Sequence, residues 1–280
     1  MRPRIGLIGV PVETVFLNGD FWDGVPYTAF IPQLTTTARD AIITHAKKED
    51  IAIDDLGEVD FGAYDPGFNT ARIAYQGISP FSLSKLKFIS KEMLEQKRVE
   101  TLASASAYDI FLAVGNSHAG AVLLYESHDK VTRCDYHADF GNFPKSPATI
   151  NYANYMDWVH HALEGVHVSN YFVKYFQEGK NVYGTLAGDS PERNSVHANH
   201  FDIDVDCFDT ALQIQSLYPH ANGANKVKPV QVSAMIRASE DSRPGPFKIG
   251  FWEYRCYDDA RGEGITFIVD SITQAMQRGI

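Results

Sequence analysis

A chain of 280 residues, 44% hydrophobic and 21% charged, has the balance of an ordinary globular protein and enough length to bury a sizeable core, which excludes a disordered or fibrous polypeptide. Its formal net charge of −10, from 25 Lys and Arg against 35 Asp and Glu, comes without a Lys/Arg stripe, so no nucleic-acid partner is expected. No run approaches the roughly 20 apolar residues of a membrane helix, and the apolar stretch at 5–10 is too short for a signal core.

The three cysteines, Cys134, Cys207 and Cys256, form no CxxC pair and suit a reducing compartment; a cytoplasmic protein without a membrane span is expected. Along the chain, residues 5–10 read as a short buried strand and 35–48 as a helix with apolar residues at helical intervals. A strand candidate at 51–56 precedes a Gly/Pro-rich loop at 62–80, and 84–105 has the length and composition of a surface helix. Compact apolar strands are expected at 109–114, 131–136, 200–205 and 247–254, with a last helix at about 264–277. The aromatic-rich segment 16–30 reads as a loop. Strands alternating with helices imply a mostly parallel central sheet covered on both faces, a three-layer α/β/α sandwich formed as a single domain over 1–280.

The polar clusters fall at the carboxyl ends of these strands, where such sheets bind ligands. In Asp135-Tyr136-His137-Ala138-Asp139, an extended backbone would turn residues 135, 137 and 139 to one side. Asp202, Asp204 and Asp206 repeat the pattern, with Ile203 and Val205 on the opposite face. Carboxylates crowded at a buried strand end repel one another and lose hydration, and divalent cations relieve both costs. Oxygen donors with some imidazole suit Mn²⁺ better than the thiolate-rich sets that favour zinc. Counted from Asp202, the chain lacks the sixth-position Gly and twelfth-position Glu of an EF-hand loop.

Three segments, in order, resemble the arginase/agmatinase/formiminoglutamase family of ureohydrolases. Gly115-Asn116-Ser117-His118 is similar to that family's Gly-Gly-Asp-His, Asp135-Tyr136-His137-Ala138-Asp139 to its Asp-Ala-His-x-Asp, and Asp204-Val205-Asp206-Cys207-Phe208-Asp209 to its Asp-x-Asp-x-x-Asp. The resemblance implies an arginase-like sandwich and two divalent ions, with manganese as the expected metal. One ion would take His118, Asp135, Asp139 and Asp204; the other would take His137, Asp135, Asp204 and Asp206. It also implies that a hydroxide bridging the ions attacks a guanidino or formimino carbon and breaks a C–N bond. Glu253 falls where the family keeps a carboxylate for the guanidinium. Tyr152 occupies the position of its proton-shuttling His, and His160 and His161 stand in the following helix. The implied partners are a small guanidino or amidine substrate and further copies of the chain, as a trimer or hexamer. An amide deacetylase on the same fold and a metal-binding relative without catalysis are the other readings.

Cys134 and Cys207 are expected to pack as small buried hydrophobes, Asp202 and Asp209 to orient ligands or hold loops, and His197 and His200 to lie outside the ligand set.

Overall fold

The described residues of the computed structural model are 2–17, 25–31, 33–62, 73–74, 87–135, 137, 139, 150–151, 154–171, 173–177, 180–184, 197–208, 228–240, 245–254, 259 and 262–278. In chain order the strands are β1 (Ile5–Val10), β2 (Val12–Leu17), β3 (Val25–Phe30), β4 (Asp54–Glu58), β5 (Ile73–Ala74), β6 (Lys87–Phe88), β7 (Ile110–Gly115), β8 (Lys130–Cys134), β9 (His167–Tyr171), β10 (Val173–Gln177), β11 (Lys180–Gly184), β12 (His200–Asp204) and β13 (Phe247–Trp252). The helices are α1 (Thr36–Lys48), α2 (Lys91–Ala105), α3 (Tyr155–Ala162), α4 (Pro229–Ala238) and α5 (Glu263–Met276).

Seven strands form one sheet in the order β4-β1-β7-β13-β12-β8-β9, and every neighbouring pair is parallel. Strands β1, β7, β12 and β13 are buried along their whole length because both faces are covered; β1 and β7 read in sequence as continuous apolar runs, whereas β12 carries His200, Asp202 and Asp204 and β13 carries Lys248. One face carries Leu7, Leu112, Ile203 and Phe251 against α1, α4 and α5. The other carries Val10, Phe111, Val131 and Trp252 against α2 and α3. The expected three-layer sandwich is therefore present, and Cys134 and Cys207 lie buried in the first of these layers.

Three expectations shift. The predicted helix over 84–105 begins only at Lys91: Ser90 caps it by accepting a hydrogen bond from the Met93 amide at 3.2 Å, while Lys87–Phe88 pairs with β3. The strand expected at 51–56 lies at Asp54–Glu58, because the Ile51 amide still bonds to Ala46 at the end of α1. The segment read as a loop over 16–30 contains the end of β2 and all of β3, which pair antiparallel from Val12↔Phe30 to Leu17↔Val25 and join β5 and β6 in a four-stranded sheet; residues 18–24 lie outside the described residues. Among the described residues no helix is long and apolar enough to cross a membrane.

Candidate metal centre

The four central strands β7, β13, β12 and β8 are adjacent and parallel, so their carboxyl ends open on the same edge of the sheet. After β7 the chain turns at Ser117, whose hydroxyl caps a short 3-10 turn at His118–Leu123 by accepting from the Ala119 amide. That turn delivers His118, fully enclosed, over the ends of the neighbouring strands. β8 ends at Cys134 and leads directly into Asp135; β12 carries Asp202 and Asp204 on one face; β13 leads into Glu253, whose backbone follows the Asp204↔Trp252 pairing by one residue.

His118 is the hub. Its Nδ1 lies 2.9 Å from Asp204 Oδ2, 3.1 Å from Asp135 Oδ2 and 3.3 Å from Asp139 Oδ2. None of these contacts is a hydrogen bond, which leaves a buried nitrogen facing three carboxylate oxygens. On the other side of the ring, Nε2 lies 3.0 Å from Asp202 Oδ1 and 2.7 Å from the Tyr155 hydroxyl. An Nε2–H donated to Asp202 leaves Nδ1 as the nitrogen that a proton or a metal cation takes, pointing into the carboxylate group. Asp202 is itself held by Tyr125, donating to Oδ2 at 2.6 Å, and by Tyr155, donating at 2.9 Å.

Beside this hub lies Arg133, entirely buried. It lies on β8, two residues before Asp135, and stands opposite Asp202 in the sheet register. Its Nε donates to the Tyr155 hydroxyl at 2.8 Å and its Nη1 to Asn170 at 3.2 Å. Its Nη2 pairs closely with Asp135 Oδ2, and also donates to Asp139 Oδ2 at 2.7 Å and to the His137 carbonyl at 3.0 Å.

The electrostatics follow from enclosure. Burial works against charge on Asp135, but Arg133 and His118 hold its carboxyl below the usual range. Asp139 is pushed up instead, because burial and the neighbouring Asp135 charge outweigh Arg133. Burial likewise opposes Asp202, which His118, His200 and Arg133 bring down to about 2. For His118, burial resists protonation while Asp202, Asp135 and Asp204 raise its affinity for a proton well above the ordinary value. Tyr155 stays a protonated donor, since burial penalises the phenolate more than Arg133 favours it. Four buried aspartates, Asp135, Asp139, Asp202 and Asp204, gather around the His118 ring with a single guanidinium among them, so the group favours additional positive charge.

Of the sequence-derived ligands, His118, Asp135, Asp139 and Asp204 are brought together. They do not converge by a regular i, i+2, i+4 fan, because β8 stops at Cys134; Asp139 reaches the group from a left-handed backbone with φ 51°. His137 stands apart, its side chain 34% exposed and its Nδ1 3.9 Å from Asp135 Oδ1, while its amide donates to that oxygen at 2.6 Å. Glu253 is buried, also at positive φ (56°), just past the Trp252 ring that stacks over His118 at a centroid distance of 6.4 Å. Tyr152 and the side chain of Asp206 lie outside the described residues, as do Asp209 and Cys256. His160 and His161 are exposed on α3; the same helix contributes Tyr155 to the His118 ring instead. His200 sits at the opposite end of β12, near Asp129, and belongs to no ligand set.

Sequence reasoning missed Arg133, Tyr155 and Tyr125. A legible signal existed for Arg133, a charged residue inside an otherwise buried parallel strand.

The donor set fits a divalent cation. His118, Asp135 and Asp139 present ligand atoms within 4.8 Å of one another, and the Nδ1 that makes no hydrogen bond is aimed among them. An imidazole whose second nitrogen is anchored on a carboxylate is the usual setting of a metal-ligating His.

No family model and no curated protein sequence matches the chain. Solved structures do. An arginase from Bacillus cereus superposes with a TM-score of 0.60 at 14% identity, covering 99% of each chain. The proclavaminate amidino hydrolase of Streptomyces clavuligerus gives 0.58 at 12% identity, covering 99% of this chain and 92% of its own. The formimidoylglutamase of Bacillus subtilis gives 0.56 at 12% identity, covering 100% and 89%. Over its whole length the chain has the fold of the ureohydrolases.

Proposed function

We propose that this chain is a divalent-metal-dependent hydrolase that cleaves a C–N bond of a small guanidino or formimino compound. The observation that carries the reading is the enclosed His118 Nδ1, without a hydrogen bond and 2.9–3.3 Å from oxygens of Asp204, Asp135 and Asp139, at the strand ends where α/β sheets bind ligands. The neighbours named as arginase, amidino hydrolase and formimidoylglutamase share this fold and supply the substrate class.

His118, Asp135, Asp139 and Asp204 would hold metal, with His137 and Asp206 as the further ligands implied by the motifs, and Mn²⁺ suits this oxygen-rich set. Bound divalent metal would supply Lewis acidity and activate water at neutral pH. The chain's own residues do the rest. Asp202 and Tyr155 fix the His118 ring, and Arg133 pins Asp135 and Asp139. Glu253 would receive the planar cationic end of the substrate, since a carboxylate pairs with two parallel N–H donors. Residues 1–280 act as one catalytic domain in this reading, and the trimer or hexamer that the family resemblance implies is its assembly.

Incubating Mn²⁺-loaded protein with arginine, agmatine, guanidinobutyrate and formiminoglutamate, and measuring urea, ammonia and formamide against chelated protein, tests the activity. Release from at least one compound is expected; no release across the panel overturns the reading.

A further inference from the structure

We propose that Arg133 is a built-in second cation of the centre, so that the chain holds one divalent ion, at His118, Asp135, Asp139 and Asp204, where the motif resemblance implies two. The inference rests on the metal reading above and narrows it.

Two of the three oxygens that face His118 Nδ1 are shared with Arg133. Asp135 Oδ2 and Asp139 Oδ2 lie 3.1 and 3.3 Å from Nδ1, and both also bond Arg133 Nη2. In a two-metal site the ions sit about 3.5 to 4 Å apart on common ligands. Here the same two Oδ2 atoms that face the His118 nitrogen already accept from a guanidinium, which stands where a second ion on these common ligands would carry its charge. A guanidinium does not deprotonate in proteins, so its charge is permanent.

Arg133 is also not a side chain that swings aside to admit an ion. It is fully buried and tied at all three nitrogens: to Tyr155 through Nε, to Asn170 through Nη1, and to two carboxylates and the His137 carbonyl through Nη2. Leaving would strand Asp135 and Asp139 without this partner and take the cation out of a site built around it. The last of these contacts bears on the second metal position directly. The segment that would deliver an imidazole to it is bound to Arg133 by its backbone, and the His137 side chain lies one-third exposed with Nδ1 3.9 Å from Asp135 Oδ1.

The test is metal stoichiometry and spin coupling on the full-length chain, with no turnover required. Protein saturated with Mn²⁺ and passed through equilibrium dialysis is expected to retain one equivalent per chain and to show the six-line signal of isolated Mn²⁺ by electron paramagnetic resonance. Arg133→Gln, with folding verified by circular dichroism, is expected to take up a second equivalent and show an exchange-coupled pair. Two coupled ions in the wild-type chain overturn the proposal, as does a folded Arg133→Gln protein that stays at one. Should that variant not fold, the wild-type spectrum still decides. No metal in the wild-type chain overturns both this inference and the metal dependence it rests on, whereas one ion without turnover on the substrate panel sinks only the hydrolase reading.

Discussion

The Nε2 of His118 lies 3.0 Å from Asp202 Oδ1, so the ring that offers its other nitrogen to the carboxylate group is anchored by an aspartate outside that group. Asp202 reaches this position because it sits two residues before Asp204 on β12, on the same face, and Tyr125 and Tyr155 occupy its second oxygen. Asp202→Asn keeps the shape but lets either amide end face the ring, and the preference for a lone pair on Nδ1 is lost. Outer-shell changes of this kind cost roughly 10–100-fold in metal affinity. Calorimetric titration with Mn²⁺ checks this: an affinity within twofold of wild type would show that Asp202 does not orient His118.

A second prediction concerns the floor beneath that ring. Trp252 is completely buried and its indole lies against glycine backbone: a Cβ added at Gly250 would come within 2.5 Å of Trp252 Nε1, and one at Gly120 within 2.9 Å of Cζ3. Gly250→Ala must therefore displace the indole, and overpacking of this kind costs about 1–3 kcal/mol. Because the indole stacks near His118, the urea midpoint should fall and Mn²⁺ affinity should fall with it. An unchanged midpoint would mean the indole has room to move.

At the far end of the sheet, Asp129 sets part of the acid stability. Burial opposes its charge, and the His200 imidazole at 3.7 Å with the Lys248 ammonium at 2.8 Å overcomes that penalty and holds the carboxyl below its ordinary range. With the folded value depressed, the unfolded chain binds the proton first. The stabilisation is complete above about pH 5 and is lost as pH falls through the unfolded value near about 4 towards the folded one. Melting temperature plotted from pH 2 to 6 should be shallower for Asp129→Asn than for wild type. At neutral pH the variant should lose about 3–5 kcal/mol, because buried Lys248 loses its closest partner.

How far this was legible in the sequence depends on what each residue answers to. The runs at β1 and β7 announce themselves, since parallel strands buried on both faces leave continuous apolar stretches. That Asp202 and Asp204 share one face of β12 was equally plain. The antiparallel β2–β3 pair was not, because its pairing is written in backbone bonds between segments that carry no strong alternation. Arg133 takes its meaning from standing opposite Asp202 on the next strand, and cross-strand register is a property of the assembled sheet. Tyr155 arrives from a helix whose docking angle no local pattern encodes.

The last prediction separates substrate recognition from metal binding. Glu253 is buried and holds a left-handed backbone at φ 56°, a conformation that costs a non-glycine residue roughly 1–2 kcal/mol. Such strain persists where the surroundings impose it and clusters at functional sites. Its place follows from the sheet: β13 lies between β7 and β12, so its carboxyl end opens between His118 and Asp204. Glu253→Gln retains size and backbone but removes the charge that would pair with a guanidinium. Hydrogen bonds to charged groups contribute about 1.5–3 kcal/mol, which corresponds to a fall of roughly 10- to 100-fold in kcat/KM on the substrate the panel identifies. Mn²⁺ affinity and stoichiometry should stay at wild-type values. A variant that loses metal together with activity would reassign Glu253 to the ligand set, and one that loses neither would remove it from the site.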